Sequence, residues 1–237
     1  MRIEDLSAYS IAQFAVKYNR ILSNTISGYQ PTQNPYAIIL GGQPGSGKTT
    51  IHKLAIQKDR NVISINADEY RGEHPNISAI YEVYGKKSAE HTQAFANAIA
   101  ERLIEELSDK TYNLIIEGTL RRSEVPLNTC RILKSKGYTV ELSVMAVNKA
   151  LSWQSTIDRY VKMKELGILP RAVSKETHDY IAEILPDNLD AIFSERVFDR
   201  ITLYNREGDC LYNSELTKNV SPKNTIKAAI EGRLSHG

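Results

Sequence analysis

The 237-residue chain has few cysteines and almost no net charge. Its two cysteines, Cys130 and Cys210, are far apart, and neither has a second cysteine at the spacing of a zinc or redox motif. Thirty basic and twenty-eight acidic side chains leave a formal charge of +2, without a Lys/Arg block typical of nucleic-acid binding. We therefore interpret the cysteines as reduced thiols and expect no nucleic-acid partner.

Long hydrophobic runs are also missing. No apolar run approaches the length that crosses a membrane. The first residues, Met1-Arg2-Ile3-Glu4-Asp5, include acidic side chains where a secretory signal needs basic ones. The sequence predicts a soluble, cytoplasmic protein with no membrane partner.

A complete phosphate-loop motif, G-x-x-x-x-G-K-[ST], follows the apolar run Tyr36–Leu40 and precedes a helix-compatible stretch. Glycines in this motif let consecutive backbone N–H groups point at phosphates. Lys48 supplies a charge for the β- and γ-phosphate oxygens, and Thr49 offers a hydroxyl to Mg²⁺. The motif predicts that ATP and Mg²⁺ bind here. The residues assigned to the nucleotide are Gly42, Gln43, Pro44, Gly45, Ser46, Gly47, Lys48, Thr49 and Thr50.

Strand-like and helical segments alternate along the chain. An amphipathic pattern spans residues 11–22, and a strand–turn–strand pattern spans 200–212. Between them, the predicted strands lie at 61–65, 112–116 and 139–147, and the predicted helices at 94–107, 123–136, 149–166 and 175–185.

This alternation predicts an α/β fold of the P-loop NTPase type. We expect three α/β/α layers, with a mostly parallel central sheet and added helices. We also expect one kinase domain over residues 1–237. Its parts would be an N-terminal helical segment at 1–35, a nucleotide-binding core at 36–147, and a helical lid and C-terminal part at 148–237.

Carboxylates that follow predicted strands are candidates for chemistry, because ligands bind beyond the carboxyl ends of parallel strands. Asp68 follows the second strand and Glu117 closes the third. Near a γ-phosphate, such a group either accepts a proton from an attacking hydroxyl or holds Mg²⁺, and position alone leaves both roles open. For Asp68 the alternative is the N-cap of the next helix. Glu101 lies opposite the apolar stripe of its helix, which predicts a solvent-exposed face.

Arginines near a transferring phosphoryl group accelerate NTPases by about 10³–10⁵. The candidates are Arg121, Arg122, Arg159 and Arg171, and for the last two the alternative is an ordinary surface residue. The segment that begins at Asn148 has the Asn-Lys pair of a GTPase motif but no Asp two residues on. The strand at 113–117 also lacks the Asp of a Mg²⁺-holding ATPase strand. Both features favour a small-molecule kinase.

Several stretches occur together in the order of one known family. They are residues 40–50, Asn66-Ala67-Asp68-Glu69-Tyr70, His74-Pro75-Asn76, 112–119, Arg159-Tyr160, Arg171-Ala172 and 203–208. With them the chain resembles a zeta toxin, the kinase half of a bacterial toxin–antitoxin pair, over nearly its whole length. Ala67 departs from the pattern, since relatives often carry a polar residue there.

The resemblance implies a kinase that uses ATP and Mg²⁺ to phosphorylate the 3′-hydroxyl of the N-acetylglucosamine moiety of UDP-N-acetylglucosamine. Cell-wall synthesis would stop as this precursor is depleted. A separate small helical antitoxin is implied as the partner, in a hetero-oligomer. The alternatives are a kinase of another hydroxyl substrate, such as an antibiotic, a nucleoside or a nucleic-acid end, and a nucleotide-sensing module without useful turnover.

The resemblance also implies roles for individual residues. Lys48 and Thr49 would serve ATP and Mg²⁺, and Asp68 would be the base on the sugar hydroxyl. Arg159 and Arg171 would hold the phosphates in the transition state. The sugar-nucleotide site would be lined by Asp68, Glu101, Glu117, Thr119, Arg121 and Thr129.

Overall fold

The computed structural model describes residues 6–168, 170 and 172–233. Six strands form one sheet with the order β2-β3-β1-β4-β5-β6. Neighbouring strands are parallel, except that β5 and β6 are antiparallel. The strands are β1 (Tyr36–Gly41), β2 (Val62–Asn66), β3 (Asn113–Glu117), β4 (Thr139–Met145), β5 (Arg200–Tyr204) and β6 (Cys210–Asn213). This confirms the predicted α/β class with a mostly parallel sheet.

Helices connect and cover these strands. In the described part of the chain they are α1 (Ile11–Ile26), α2 (Thr49–Lys58), α3 (Ala67–Tyr70), α4 (Ile77–Tyr84), α5 (Ser88–Asp109), α6 (Glu124–Ser135), α7 (Lys149–Glu165), α8 (Lys175–Ser194) and α9 (Lys223–Ile230). None of them combines the length and the apolar character required to cross a membrane.

The helix predicted at residues 175–185 is too short. α8 continues through Pro186 to Ser194, although a proline inside a helix costs about 3 kcal/mol. Leu189 and Ile192, beyond the proline, are fully buried in the main apolar cluster. Burying two such side chains contributes roughly 3–6 kcal/mol, which is enough to offset the proline.

The two faces of the sheet bury separate apolar clusters. On one face, Ile51 of α2 packs in a cluster with Leu40 and Ile115. On the other face, the α5 stripe that includes Phe95 joins a cluster with Leu114. Neighbouring residues of a strand point to opposite faces, so Leu114 and Ile115 belong to different clusters. The result is the expected arrangement of a sheet between two helical layers.

The carboxyl ends of three adjacent strands lie level with one another. Leu40 of β1 and Asn66 of β2 are both in register with Glu117 of β3. The phosphate loop follows β1, and Asp68 lies two residues after the end of β2. The register therefore brings the loop and both carboxylates to one edge of the sheet.

At the opposite end of the sheet, the buried Asn113 side chain joins three segments. Its Oδ1 accepts a hydrogen bond from the backbone N–H of Tyr36 at 3.1 Å. Its amide nitrogen donates to Asp59 Oδ2 at 3.1 Å and to the Asn61 carbonyl at 3.2 Å. These contacts hold the start of β1 and the α2–β2 connection against β3.

We expect Asn113→Ala to lower the free energy of unfolding by about 1–3 kcal/mol, because the Tyr36 N–H loses its acceptor and the Asp59 carboxylate and the Asn61 carbonyl each lose a donor. Urea unfolding followed by circular dichroism measures the change. The matched control is Asn24→Ala on the exposed side of α1, which should stay within about 0.5 kcal/mol of the parent. Equal effects of the two substitutions would contradict the assigned role of Asn113.

Candidate functional site

The phosphate loop lies between β1 and α2 and depends on glycine at several points. Gly42, Gly45 and Gly47 have φ angles of +135°, +76° and +89°, in the region that favours glycine. A Cβ atom on Gly45 would collide with the backbone carbonyl oxygen of Ser152 in α7. The loop and α7 are thus in direct backbone contact.

Two polar residues of the loop point into the protein. Gln43 is fully buried, and its amide nitrogen donates to the Val147 carbonyl at 2.7 Å and to Ser152 Oγ at 3.3 Å. Ser152 Oγ in turn lies 3.0 Å from Nε2 of the buried His178. Ser46 Oγ is buried and has no hydrogen-bond partner within the described residues. The Gln43 side chain therefore ties the loop to α7 and α8.

Lys48 projects into the space beyond the sheet edge. Its side chain is 10% exposed, and its Nζ lies 3.2 Å from the Gly42 carbonyl and 3.7 Å from Glu117 Oε1. Burial is the main cause that lowers the pKa of Lys48, and the Glu117 carboxylate opposes it. A bound phosphate would supply further negative charge to this buried ammonium.

Two adjoining cavities open at this edge, with volumes of about 570 and 330 Å³. They share the walls formed by Gly45, Lys48, Glu117 and Arg159. The smaller cavity is lined by the second half of the phosphate loop and by the start of α2. A group bound in one cavity can therefore meet a group bound in the other at Lys48 and Glu117.

Most of the sequence-predicted residues line these cavities. The larger cavity is lined by Pro44, Gly45, Lys48, Asp68, Glu101, Glu117, Thr119, Arg121, Arg122, Thr129 and Arg159. The smaller is lined by Gly45, Gly47, Lys48, Thr49, Thr50, Glu117 and Arg159. Gly42, Gln43 and Ser46 form the inner part of the loop and line neither cavity. Arg171 lies outside the described residues, so its assignment stays a prediction.

Asp68 is not the N-cap of α3. The Asn66 side chain caps that helix by accepting a hydrogen bond from the Asp68 N–H at 3.1 Å. The Asp68 side chain is 48% exposed, and its Oδ1 accepts a hydrogen bond from Arg71 Nε at 2.7 Å. Sequence reasoning missed Arg71, whose only signal was its position three residues after a carboxylate.

Glu117 is held at the end of β3 by two neighbours. Its Oε2 accepts a hydrogen bond from Asn66 Nδ2 at 3.1 Å, and its Oε1 faces Lys48. Asn66 thus orients Glu117 and caps the helix that carries Asp68. One amide side chain fixes the local geometry of both candidate carboxylates.

Glu101 lies on the exposed side of α5, as its periodicity predicts. Gln93, Asn97 and Glu101 are spaced four residues apart, so they lie on one face of α5, and all three line the larger cavity. The opposite side of the helix buries Phe95, Ile99 and Leu103. The exposed face of α5 is therefore a cavity wall.

The cations at the site come from separate elements. Arg159 projects from α7 into both cavities. Arg121 lines the larger cavity, with its guanidinium 5.6 Å from the centre of the Tyr180 ring. Arg206, which sequence reasoning did not single out, lines the smaller cavity and donates to Ser155 Oγ at 2.8 Å and to the Gly45 carbonyl. The sequence feature that could have identified Arg206 is its position in the turn of the strand–turn–strand segment at 200–212.

The residues present fit a Mg²⁺ ion held mainly by a nucleotide. Within residues 6–168, 170 and 172–233, no group of three or more His, Cys, Asp or Glu side chains is arranged to hold a metal. Mg²⁺ at phosphate sites commonly takes most ligands from phosphate and water, with one or two from side chains. Thr49 and Glu117 both line the smaller cavity and supply oxygen atoms of that kind.

Comparison with known proteins gives consistent results. The family model described as Zeta toxin matches residues 19–217. The chain is 39% identical to Toxin zeta of Streptococcus pyogenes over 225 residues, covering 94% of this chain and 78% of that protein. It is also 39% identical to Toxin PezT of Streptococcus pneumoniae over 234 residues, covering 97% of this chain and 87% of that protein.

Solved structures are similar as well. A structure of the PezAT chromosomal toxin–antitoxin system of Streptococcus pneumoniae matches with a TM-score of 0.87 and 34% identity, covering 98% of this chain and 91% of that one. The AvrRxo1-ORF1:-ORF2 structure with ATP matches with a TM-score of 0.61 and 14% identity, covering 95% and 75%. The second match concerns the fold alone. The family match over most of the sequence and the 39% identity to two named toxins show that this chain, with its P-loop kinase fold, belongs to the zeta toxin family.

Proposed function

We propose that the protein is a zeta-type toxin kinase. It transfers the ATP γ-phosphate to the 3′-hydroxyl of the N-acetylglucosamine moiety of UDP-N-acetylglucosamine and so blocks cell-wall synthesis. The observation that carries this proposal is the junction of the two cavities. A phosphate-loop cavity and a larger cavity containing Asp68 meet at Lys48 and Glu117, which is the arrangement that transfer from one bound ligand to another requires.

The smaller cavity would hold the triphosphate of ATP. Backbone N–H groups of the loop and the positive end of α2 favour phosphate oxygens. Lys48 would contact the β- and γ-phosphates, and Arg159 and Arg171 would offset the charge of the transferring group. Mg²⁺, when bound beside Thr49, would supply further positive charge at the phosphates.

Asp68 would act as the base on the acceptor. The sugar hydroxyl would give its proton to the Asp68 carboxylate while its oxygen bonds to the γ-phosphorus. The bond from that phosphorus to the β–γ bridging oxygen would break, and ADP would leave. The half-exposed carboxylate at a cavity wall supports this role, because it is accessible to a bound hydroxyl.

The larger cavity suits a ligand with both polar and apolar parts. Its volume of about 570 Å³ lies in the range of small-molecule sites. Glu101 and Thr119 offer hydrogen-bonding groups for sugar hydroxyls and amides, and Arg121 offers a cation for a diphosphate. Val125 and Ile132 add apolar surface to the lining of this cavity. A nucleotide sugar carries groups that complement each of these features: hydroxyls and amides, a diphosphate and apolar surface.

The partner would be a separate helical antitoxin in a hetero-oligomer. A solved structure of a toxin–antitoxin system matches nearly the whole chain, which supports this expectation. We further propose that residues 1–35, 36–147 and 148–237 work as one kinase domain in the cytoplasm, where ATP is available.

We expect the purified protein, given Mg²⁺-ATP and UDP-N-acetylglucosamine, to form a sugar nucleotide heavier by one phosphate. Mass spectrometry detects the product, and UDP-glucose and an acceptor-free reaction are the controls. Equal product from UDP-glucose would contradict selection for the N-acetyl group. ATP binding without any product would contradict the proposed acceptor and favour another hydroxyl substrate or a nucleotide sensor.

Substitutions of Lys48 and Asp68 should have different kinetic effects. Lys48→Ala should weaken ATP binding and also lower kcat, because it removes the positive charge that would contact the bound phosphates. Asp68→Asn should lower kcat by about 10²–10⁴ while leaving the ATP Kd unchanged, because it removes a base and little ATP contact. Calorimetry gives the Kd, and the product assay gives kcat.

The control for the lysine is Lys53→Ala on the exposed side of α2, which should behave like the parent. A parent-like kcat for Asp68→Asn at neutral pH would rule out Asp68 as the base.

A further inference from the structure

Arg71 is a largely buried cation that forms an ion pair with the half-exposed carboxylate of Asp68. Its side chain is 14% exposed, whereas that of Asp68 is 48% exposed. Arg71 lies in the 3₁₀ turn Arg71–Glu73, which directly follows α3. Its Nε donates to Asp68 Oδ1 at 2.7 Å, a short charge-assisted hydrogen bond.

The other guanidinium nitrogens of Arg71 are held by α5. Nη1 donates to the Ala89 carbonyl at 2.6 Å and lies 3.5 Å from Thr92 Oγ1. Nη2 donates to Gln93 Oε1 at 3.0 Å. The contacts with α5 thus fix the orientation of the planar guanidinium, independently of its contact with the carboxylate.

The same helix forms a wall of the larger cavity. Gln93 both accepts from Arg71 and lines that cavity, and Glu101 follows two turns later on the same face. Arg71 therefore connects the Asp68 carboxylate to the helix that contacts a bound acceptor. An ordinary surface ion pair leaves its arginine exposed, as Arg20 is in its pair with Glu73.

We propose that Arg71 is a positioning residue that orients the Asp68 carboxylate relative to α5 and the acceptor. This inference rests on the proposed role of Asp68 as the base. The side chain of a half-exposed aspartate can adopt several rotamers, and proton transfer requires one of them. The contact with Arg71 engages Asp68 Oδ1 and favours that rotamer. A misplacement of about 1 Å can cost roughly 10² in rate. Arg71 does not line the smaller cavity, so its loss should lower turnover and leave ATP binding unchanged.

The test compares Arg71→Ala, Arg71→Lys and Arg20→Ala in the product assay. Arg71→Ala should lower kcat roughly 10- to 100-fold, with the KM for ATP within about threefold of the parent. Arg71→Lys should recover part of kcat, and added guanidinium ion at millimolar concentration should raise the kcat of Arg71→Ala. Arg20→Ala removes an arginine that contacts the same 3₁₀ turn through Glu73 and should match the parent. Parent-like kcat for Arg71→Ala, or equal losses in Arg71→Ala and Arg20→Ala, would overturn the inference.

A double variant separates this inference from the proposed function. Asp68→Asn with Arg71→Ala should be no slower than Asp68→Asn alone, because Arg71 acts only through the carboxylate. A further loss in the double variant would show that Arg71 acts elsewhere. If Asp68→Asn keeps parent activity, the role of Asp68 as base and the inference fail together. If Asp68→Asn is inactive and Arg71→Ala is fully active, the inference alone fails.

A readout without an acceptor covers the case in which the proposed substrate is wrong. Carbon-13 NMR of side-chain carboxyls, assigned with Asp68→Asn, reports the environment of Asp68 in the ligand-free protein. Arg71→Ala should shift that resonance, and Arg20→Ala should leave it in place. An unchanged Asp68 resonance in folded Arg71→Ala, with folding checked by circular dichroism, would overturn the inference whichever substrate the protein uses.

Discussion

The parallel register of three strands determines where the chemistry of this protein can occur. Leu40 in β1 and Asn66 at the end of β2 are both in register with Glu117 at the end of β3. The phosphate loop and the Asp68 turn must therefore leave the sheet side by side. A shift of one residue in β2 would reverse the direction of every side chain in that strand and move Asp68 away from Lys48. Backbone pairing, more than any single side chain, establishes the site.

Helix α5 supports the same arrangement by using its two faces differently. Phe95, Ile99 and Leu103 anchor one face in the apolar cluster that covers the sheet. The opposite face carries Gln93 and Glu101 to the cavity. Because the buried face holds the helix rigidly, the polar face has a fixed position relative to the strand ends. A helix with only one apolar stripe can thus contribute equally to stability and to a binding wall.

The parts of the site that depend on local sequence could be predicted, and those that depend on packing could not. The phosphate loop is a contiguous motif, and Asp68 and Glu117 follow strands, so the location of all three was predictable. Periodicity correctly predicted that Glu101 is exposed, but no local pattern says which elements face it across a cavity. Arg71 and Arg206 were missed for the same reason, since their partners lie in α5, α7 and the phosphate loop. Residue roles at the site remain predictions.

The contact between Gly45 and Ser152 has a consequence for the spacing of the site. Here the phosphate loop meets α7 backbone to backbone, with no side chain between them. Arg159 lies about two turns further along the same helix. The distance from the Arg159 backbone to the loop is therefore set by the backbone contact between Gly45 and Ser152 and by the pitch of α7. Neither depends on side-chain volume. Substitutions in the surrounding core would therefore change the stability of α7 packing before they changed the distance between Arg159 and a bound phosphate.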